Sequence, residues 1–210
     1  ENPGLITMQR DMYLIYKHTT EVEKRAALEI VVHEIVHQWI GNLVTPVEWN
    51  HLWLNEGFAS LYSVINTNIL HPEWNRWLTR LQRFSSPFLQ DSTLDELTHP
   101  LINEAYTRLD VDAIFDGITY NKAAAFLRML YTYFGEENFK QFMRSYLNKY
   151  MYEAVDSTMF FNTLDESMNT SLTNKLMHWA STPGYPVVIV KEQEKGGYSL
   201  SQTRFFRYMK

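Results

Sequence analysis

The run His33-Glu34-Ile35-Val36-His37 lies in a segment, Thr20 to Ile40, where Ala26, Ala27, Ile30, Val31, Glu34 and His37 recur at three- and four-residue spacings. That period predicts an α-helix, and Gly41-Asn42 supplies its stop. On a helix, positions i and i+4 share a face, so His33 and His37 can direct both imidazoles at one cation. Glu34 is close enough to act on a water held at that ion. A catalytic zinc site needs three protein ligands and an open fourth position. Glu56 is the candidate third ligand. It follows the 18 residues 38–55 and falls on the next predicted helix, which starts after Asn50 and runs to about Leu70 before His71-Pro72.

Outward from this pair of helices, the pattern stays mainly α. A third helix reads from Glu73 to Phe84, with Trp74, Trp77, Leu78 and Leu81 on one face. Residues 85–116 are loop-rich with short helical pieces. Gly117–Phe134, Glu136–Tyr150, Ser157–Asp165 and Leu172–Ala180 follow as helices. Residues 5–16, rich in β-formers, read as extended or irregular. At Pro183-Gly184-Tyr185-Pro186 the period changes. Val187–Val190 and Tyr198–Phe206, separated by Gly196-Gly197, predict a β-hairpin that opens a β-rich unit.

Composition narrows the function. The chain has 210 residues, 45% of them hydrophobic and 15% aromatic, enough to bury a large core. The net charge is −5 and no Lys/Arg run occurs, so nucleic acid is not an expected partner. Without cysteine there are no disulfides, no thiolate zinc ligands and no thiol catalysis. No stretch reaches the roughly 18 apolar residues of a membrane-spanning helix. The opening Glu1-Asn2-Pro3-Gly4 reads as an internal segment, so a piece of a longer protein is expected.

Several strings together resemble one family. His33 to Thr45 (His-Glu-Ile-Val-His-Gln-Trp-Ile-Gly-Asn-Leu-Val-Thr) is similar to the zinc helix of the aminopeptidase N-like, or gluzincin, aminopeptidases. Trp53-Leu54-Asn55-Glu56-Gly57-Phe58-Ala59-Ser60 resembles their third-ligand segment at their spacing. Thermolysin-like endopeptidases use a slightly longer gap. Glu1-Asn2 matches the end of the family's Gly-Ala-Met-Glu-Asn motif. Ile118-Thr119-Tyr120-Asn121-Lys122, followed by Leu127-Arg128-Met129-Leu130, resembles the segment bearing its tyrosine. Gly184-Tyr185-Pro186-Val187-Val188 is similar to its exit into a β domain.

The resemblance implies the helical lobe of a thermolysin-like metallopeptidase catalytic domain, with a short extended N-terminal segment and a C-terminal β-hairpin. Residues 1–184 would form the catalytic domain and 185–210 the start of the next. It further implies one Zn²⁺ held by His33, His37 and Glu56, with Glu34 as general base and then acid, and Tyr120 as a hydrogen-bond donor to the oxyanion. Glu1 becomes the anchor for the α-ammonium of a peptide with a free N-terminus. Read without the family, Glu1 is a solvated terminal residue and Tyr120 one of 13 tyrosines. Ser60 and Asn55 are candidates for orienting ligands, or ordinary helix residues.

Three positions depart from the family pattern. Pro3 stands in place of an aromatic residue, His51 in place of aspartate, and Ala123 in place of glycine. His51 matches no ligand spacing and reads as a supporting or surface residue, while the Ala123 methyl would shift the helix of Tyr120. Rival readings are a related endopeptidase or epoxide hydrolase, and a surface receptor built on this scaffold. The receptor reading is disfavoured because no catalytic group is missing. The sequon Asn169-Thr170-Ser171 tilts the expected location of the full-length protein toward a membrane-anchored form at the cell surface rather than the cytoplasm.

Overall fold

The computed structural model describes residues 1–79, 91, 98–194 and 196–206. Eight helices matter to the argument: α1 (Arg10–Tyr13), α2 (Glu21–His37), α3 (Leu52–Leu70), α4 (Arg108–Ala113), α5 (Ala123–Phe134), α6 (Glu136–Lys149), α7 (Ser157–Met168) and α8 (Thr173–Ser181). Two-residue strands β1 (Thr45–Pro46) and β2 (Ala154–Val155) pair in parallel, while β3 (Pro186–Glu192) and β4 (Tyr198–Arg204) form an antiparallel hairpin. This is the predicted helical lobe with its C-terminal hairpin. The β1–β2 pair was not foreseen, since two residues carry no period.

The element boundaries show what periodicity misses. α2 begins at Thr20, as predicted, through a reciprocal capping box with Glu23. It ends at His37 rather than Ile40, because Asn42 N–H turns back to the His37 carbonyl at 3.0 Å and Gly41 takes φ +123°. In the predicted third helix, a 3₁₀ turn (Pro72–Trp74) closes on Asn75 in the left-handed region before helix resumes at Arg76. Residues 80–84 of that reading lie outside the described residues. The extended reading of residues 5–16 is interrupted by α1, a single helical turn.

α3 is buried through most of its length, its polar Asn55, Glu56, Ser60, Ser63 and Thr67 included, and emerges at its end, where Ile69 and Leu70 are exposed. Its own Trp53 and Phe58 and the Phe142, Phe160 and Phe161 beneath it are all fully buried. Their rings meet mostly edge to face, Phe58–Phe160 and Phe142–Phe160 both at 5.4 Å between centroids, as ring quadrupoles favour. His51, half-buried, belongs to this anchorage. The Ser157 hydroxyl accepts from Trp53 Nε1–H at 3.0 Å and lies 2.8 Å from His51 Nδ1. The Ser157 backbone N–H also points at Nδ1, which makes Nδ1 the acceptor, and burial holds the imidazole pKa down, favouring the neutral ring. His51 thus ties the start of α3 to the start of α7.

The opposite face of α3 meets α5 with almost no space between them. A Cβ placed on Gly57 would lie 2.7 Å from the Ala123 methyl. The glycine therefore accommodates the alanine that departs from the family pattern. Gly57→Ala is expected to destabilise the fold by about 1–3 kcal/mol through overpacking, with Ala123→Gly restoring most of the loss. Thermal unfolding of the two single variants and the double variant checks this, and additive losses would contradict it.

The hairpin projects from this body with both faces open. On one face Leu200 is 70% exposed, and on the other Ile189 is 40% exposed. Asn169, in the left-handed region, closes α7 and is exposed. Among the described residues no helix is long and apolar enough to cross a membrane.

Candidate metal centre

α2 and α3 cross so that His33, His37 and Glu56 face one another. His33 Nε2 lies 3.1 Å from Glu56 Oε2 and 3.1 Å from His37 Nε2, and His37 Nε2 lies 3.6 Å from Glu56 Oε2. His37 and Glu56 are buried, and His33 is partly so. The turn that ends α2 sets the tautomer of His37. It carries the Ile40 carbonyl back to within 3.0 Å of Nδ1, which must donate to it, and the lone pair is left on Nε2. Gly41 is needed in this turn, since a Cβ there would sit 3.2 Å from His37 Nδ1 at a φ that side chains rarely adopt.

Such a donor set calls for a cation. Two imidazole nitrogens and a carboxylate oxygen crowd into one small volume and need a shared positive charge between them. Burial would raise the Glu56 carboxyl pKa, but hydrogen bonds and charge from both histidines hold it at about 2, so it is ionised. Burial would lower that of His37, yet the Glu56 carboxylate keeps it raised. The nitrogen and oxygen donors, their number and their burial fit zinc.

Around this cluster stand the other candidate residues. Glu34 lines a cavity of about 520 Å³ together with His33, Ser60, Phe115, Asp116 and Tyr120. The ring of Tyr120 stacks on that of His33, with centroids 5.9 Å apart and planes 13° from parallel. Burial, then the Glu56 charge, push the phenol pKa well above its usual range, so the hydroxyl keeps its proton. Glu1 also reaches the cluster, its Oε2 being 3.1 Å from His37 Nε2. The segment behind it is docked on the end of α2. Asn42 donates to the Glu1 carbonyl at 2.6 Å, and Gly4 N–H donates to Gln38 Oε1 at 2.8 Å. Pro3 sits in this docked turn, where Gly4 supplies the backbone donor.

Neither of the proposed orienting residues, Ser60 and Asn55, has a hydrogen bond to a ligand histidine among the described residues. Ser60 is buried and lines the cavity, but its hydroxyl bonds neither ring among the described residues. Asn55 is buried with its side-chain oxygen unpartnered. The group that does orient His37 is the Ile40 carbonyl, which side-chain motifs do not reveal. Asp116 was also missed. Its Oδ1 accepts from Ile118 N–H at 2.8 Å and Thr119 N–H at 3.1 Å, and so caps the π-helical turn Ile118–Lys122 that carries Tyr120.

Comparison with known proteins bears on the same residues. Residues 1–179 match the model of the peptidase family M1 domain. Aminopeptidase M1-A of Oryza sativa subsp. japonica is 36% identical over 207 residues, covering 98% of this chain and 23% of the relative. Aminopeptidase M1 of Arabidopsis thaliana is 37% identical over 98% of the chain and 23% of its own length. Leucyl aminopeptidase of Saccharolobus solfataricus is 37% identical over 98% of the chain and 26% of its own length. The chain thus spans about a quarter of the length of these relatives. With a match over most of its residues, and with the motif histidines and Glu56 drawn together in space, the chain belongs to peptidase family M1.

Proposed function

We propose that this chain carries the catalytic core of a zinc aminopeptidase, which hydrolyses the first peptide bond of substrates with a free N-terminus. The observation behind this reading is the convergence of His33, His37 and Glu56 at the edge of a cavity lined by His33, Glu34 and Tyr120. A zinc ion held by these three side chains would supply Lewis acidity, lowering the pKa of a water and polarising the scissile carbonyl. Glu34 takes the proton of the attacking water and returns it to the departing amine. Tyr120 donates its hydroxyl proton in a hydrogen bond to the oxygen on which charge develops. Glu1 accepts a charge-assisted hydrogen bond from the substrate α-ammonium, which is what restricts cleavage to the chain end.

We also take residues 1–184 as the catalytic unit and 185–210 as the beginning of a β-rich one. The hairpin with both faces exposed supports that division.

The test uses full-length protein. It should hydrolyse an aminoacyl anilide, lose that activity to a chelator and regain it with zinc. Acetylating the substrate amine should slow cleavage by at least about 10²-fold, the scale of a lost charge-assisted hydrogen bond and the unpaired carboxylate it leaves. An endopeptidase would cleave blocked peptides as readily as free ones, and that result would refute the exopeptidase reading.

A further inference from the structure

Tyr120 sits in the middle of the π-helical turn Ile118–Lys122, and the two ends of that turn are held differently. π-turns are rare, occur at functional sites, and persist where the surroundings hold them. At the leading end, Asp116 caps the first amides, and its Oδ2 is 3.2 Å from His99 Nε2. His99 Nδ1–H is already given to the Pro100 carbonyl at 2.7 Å. At the trailing end, Lys122 points away from the cavity into the protein. Its Nζ lies 2.6 Å from Asp91 Oδ2 and donates to the Gly184 carbonyl at 2.9 Å. Asp91 is fully buried and Lys122 is 5% exposed. The second Asp91 oxygen accepts from Gly184 N–H at 2.8 Å and from the Thr98 hydroxyl at 2.6 Å.

This arrangement is costly for a mere staple. Two full charges are removed from water, and burial, with a smaller push from the Arg204 charge, pulls the Lys122 pKa below its usual value despite the Asp91 carboxylate. Buried pairs give little net stability over apolar replacements, whereas they can fix the geometry of the backbone they hold. What this pair fixes is the backbone two residues from Tyr120, against both the 98–99 segment and the exit into the hairpin. An oxyanion donor acts only from the correct position, and a displacement of about 1 Å can reduce rate by about 10²-fold.

We infer that Lys122, through its buried pairing with Asp91 and Gly184, is a positioning residue that sets where the Tyr120 hydroxyl stands relative to the metal cluster. The inference rests on the proposed role of Tyr120 and adds to it the buried group through which that role is exercised. Lys122 touches no substrate and acts only through the turn.

The experiment is a double-mutant cycle in zinc-loaded full-length protein. Asp91→Asn with Lys122→Met removes both charges together and keeps possible the hydrogen bonds that Asp91 accepts from Gly184 N–H and the Thr98 hydroxyl, while the Gly184 carbonyl loses its Lys122 donor. With Tyr120 present, kcat should fall by about 10–10²-fold, with KM and zinc content unchanged. In a Tyr120→Phe background the same changes should cost less than about 3-fold, because the group being positioned is gone. Equal losses in both backgrounds, a loss appearing in KM, or no loss at all would overturn the inference. If the doubly substituted protein does not fold, Thr98→Val removes one hydrogen bond to Asp91 at constant shape, and its cycle with Tyr120→Phe is judged by the same criterion with a loss of about 2–5-fold. Tyr120→Phe alone remaining within a few-fold of wild type would defeat the reading of Tyr120 itself, whatever Lys122 does.

Discussion

Glu34→Gln is expected to lower kcat by at least about 10²-fold, the smaller end of what a positioned general base contributes, while zinc stays bound at one ion per chain. The separation of these two effects follows from the site. Two donor groups could hold a metal, His33–His37–Glu56 and Glu1–Glu34–His37; if the ion sits in the first, as proposed, it loses nothing when Glu34 becomes an amide. Glu34 instead lines the open cavity on the same helix, where a substrate carbonyl and the attacking water would meet. Glutamine matches glutamate in size and keeps a carbonyl oxygen as acceptor, but it cannot take a proton at neutral pH. Metal analysis and steady-state kinetics on the purified full-length variant decide the matter. Turnover close to wild type would show that Glu34 is no base. Loss of zinc together with activity would show that it belongs to the metal-holding set.

Tyr120→Phe should cost about 10²–10³ in kcat, or roughly 3 kcal/mol, the value of one oxyanion donor. KM, zinc content and folding stability should hardly move. The ring of Tyr120 stacks on His33, and phenylalanine preserves that contact. Only the oxygen disappears. Because charge develops on the substrate oxygen in the transition state, a donor aimed at it contributes to kcat and little to ground-state binding. A variant within a few-fold of wild-type kcat would mean that Tyr120 is only a packed aromatic. One that lost zinc or stability instead would assign it a structural role.

The histidine pair and its glutamate were legible because their relation is local. An i, i+4 spacing on a helix needs no tertiary information, and the three- and four-residue spacings placed the start of that helix near Thr20. Most helices, and the hairpin, were readable for the same reason. Tyr120 was not legible from its surroundings in the sequence. It reaches His33 only because Gly57 lets α3 approach Ala123 and because five residues adopt a π-turn, neither of which leaves a periodic trace. It was identified by resemblance to the family. The supporting groups stayed hidden for a related reason. Asp91 meets Gly184 across 93 positions of chain, and His51 meets Ser157 across 106. The Ile40 carbonyl that orients His37 is backbone, and backbone acceptors carry no residue signature. The end of α2 was misjudged because the glycine that stops it lies beyond the turn rather than at its start.

The enclosure of α3 also bears on how the site fails. The stretch Leu52–Leu61 of α3, buried without a break, has no low-energy opening of its own, so its amides exchange with solvent only when the whole domain unfolds. Glu56 rides on that segment, so heating or denaturant should disturb this ligand only when the domain unfolds as a whole. The working lifetime of the centre is then set by the barrier to global unfolding rather than by local breathing around the ion.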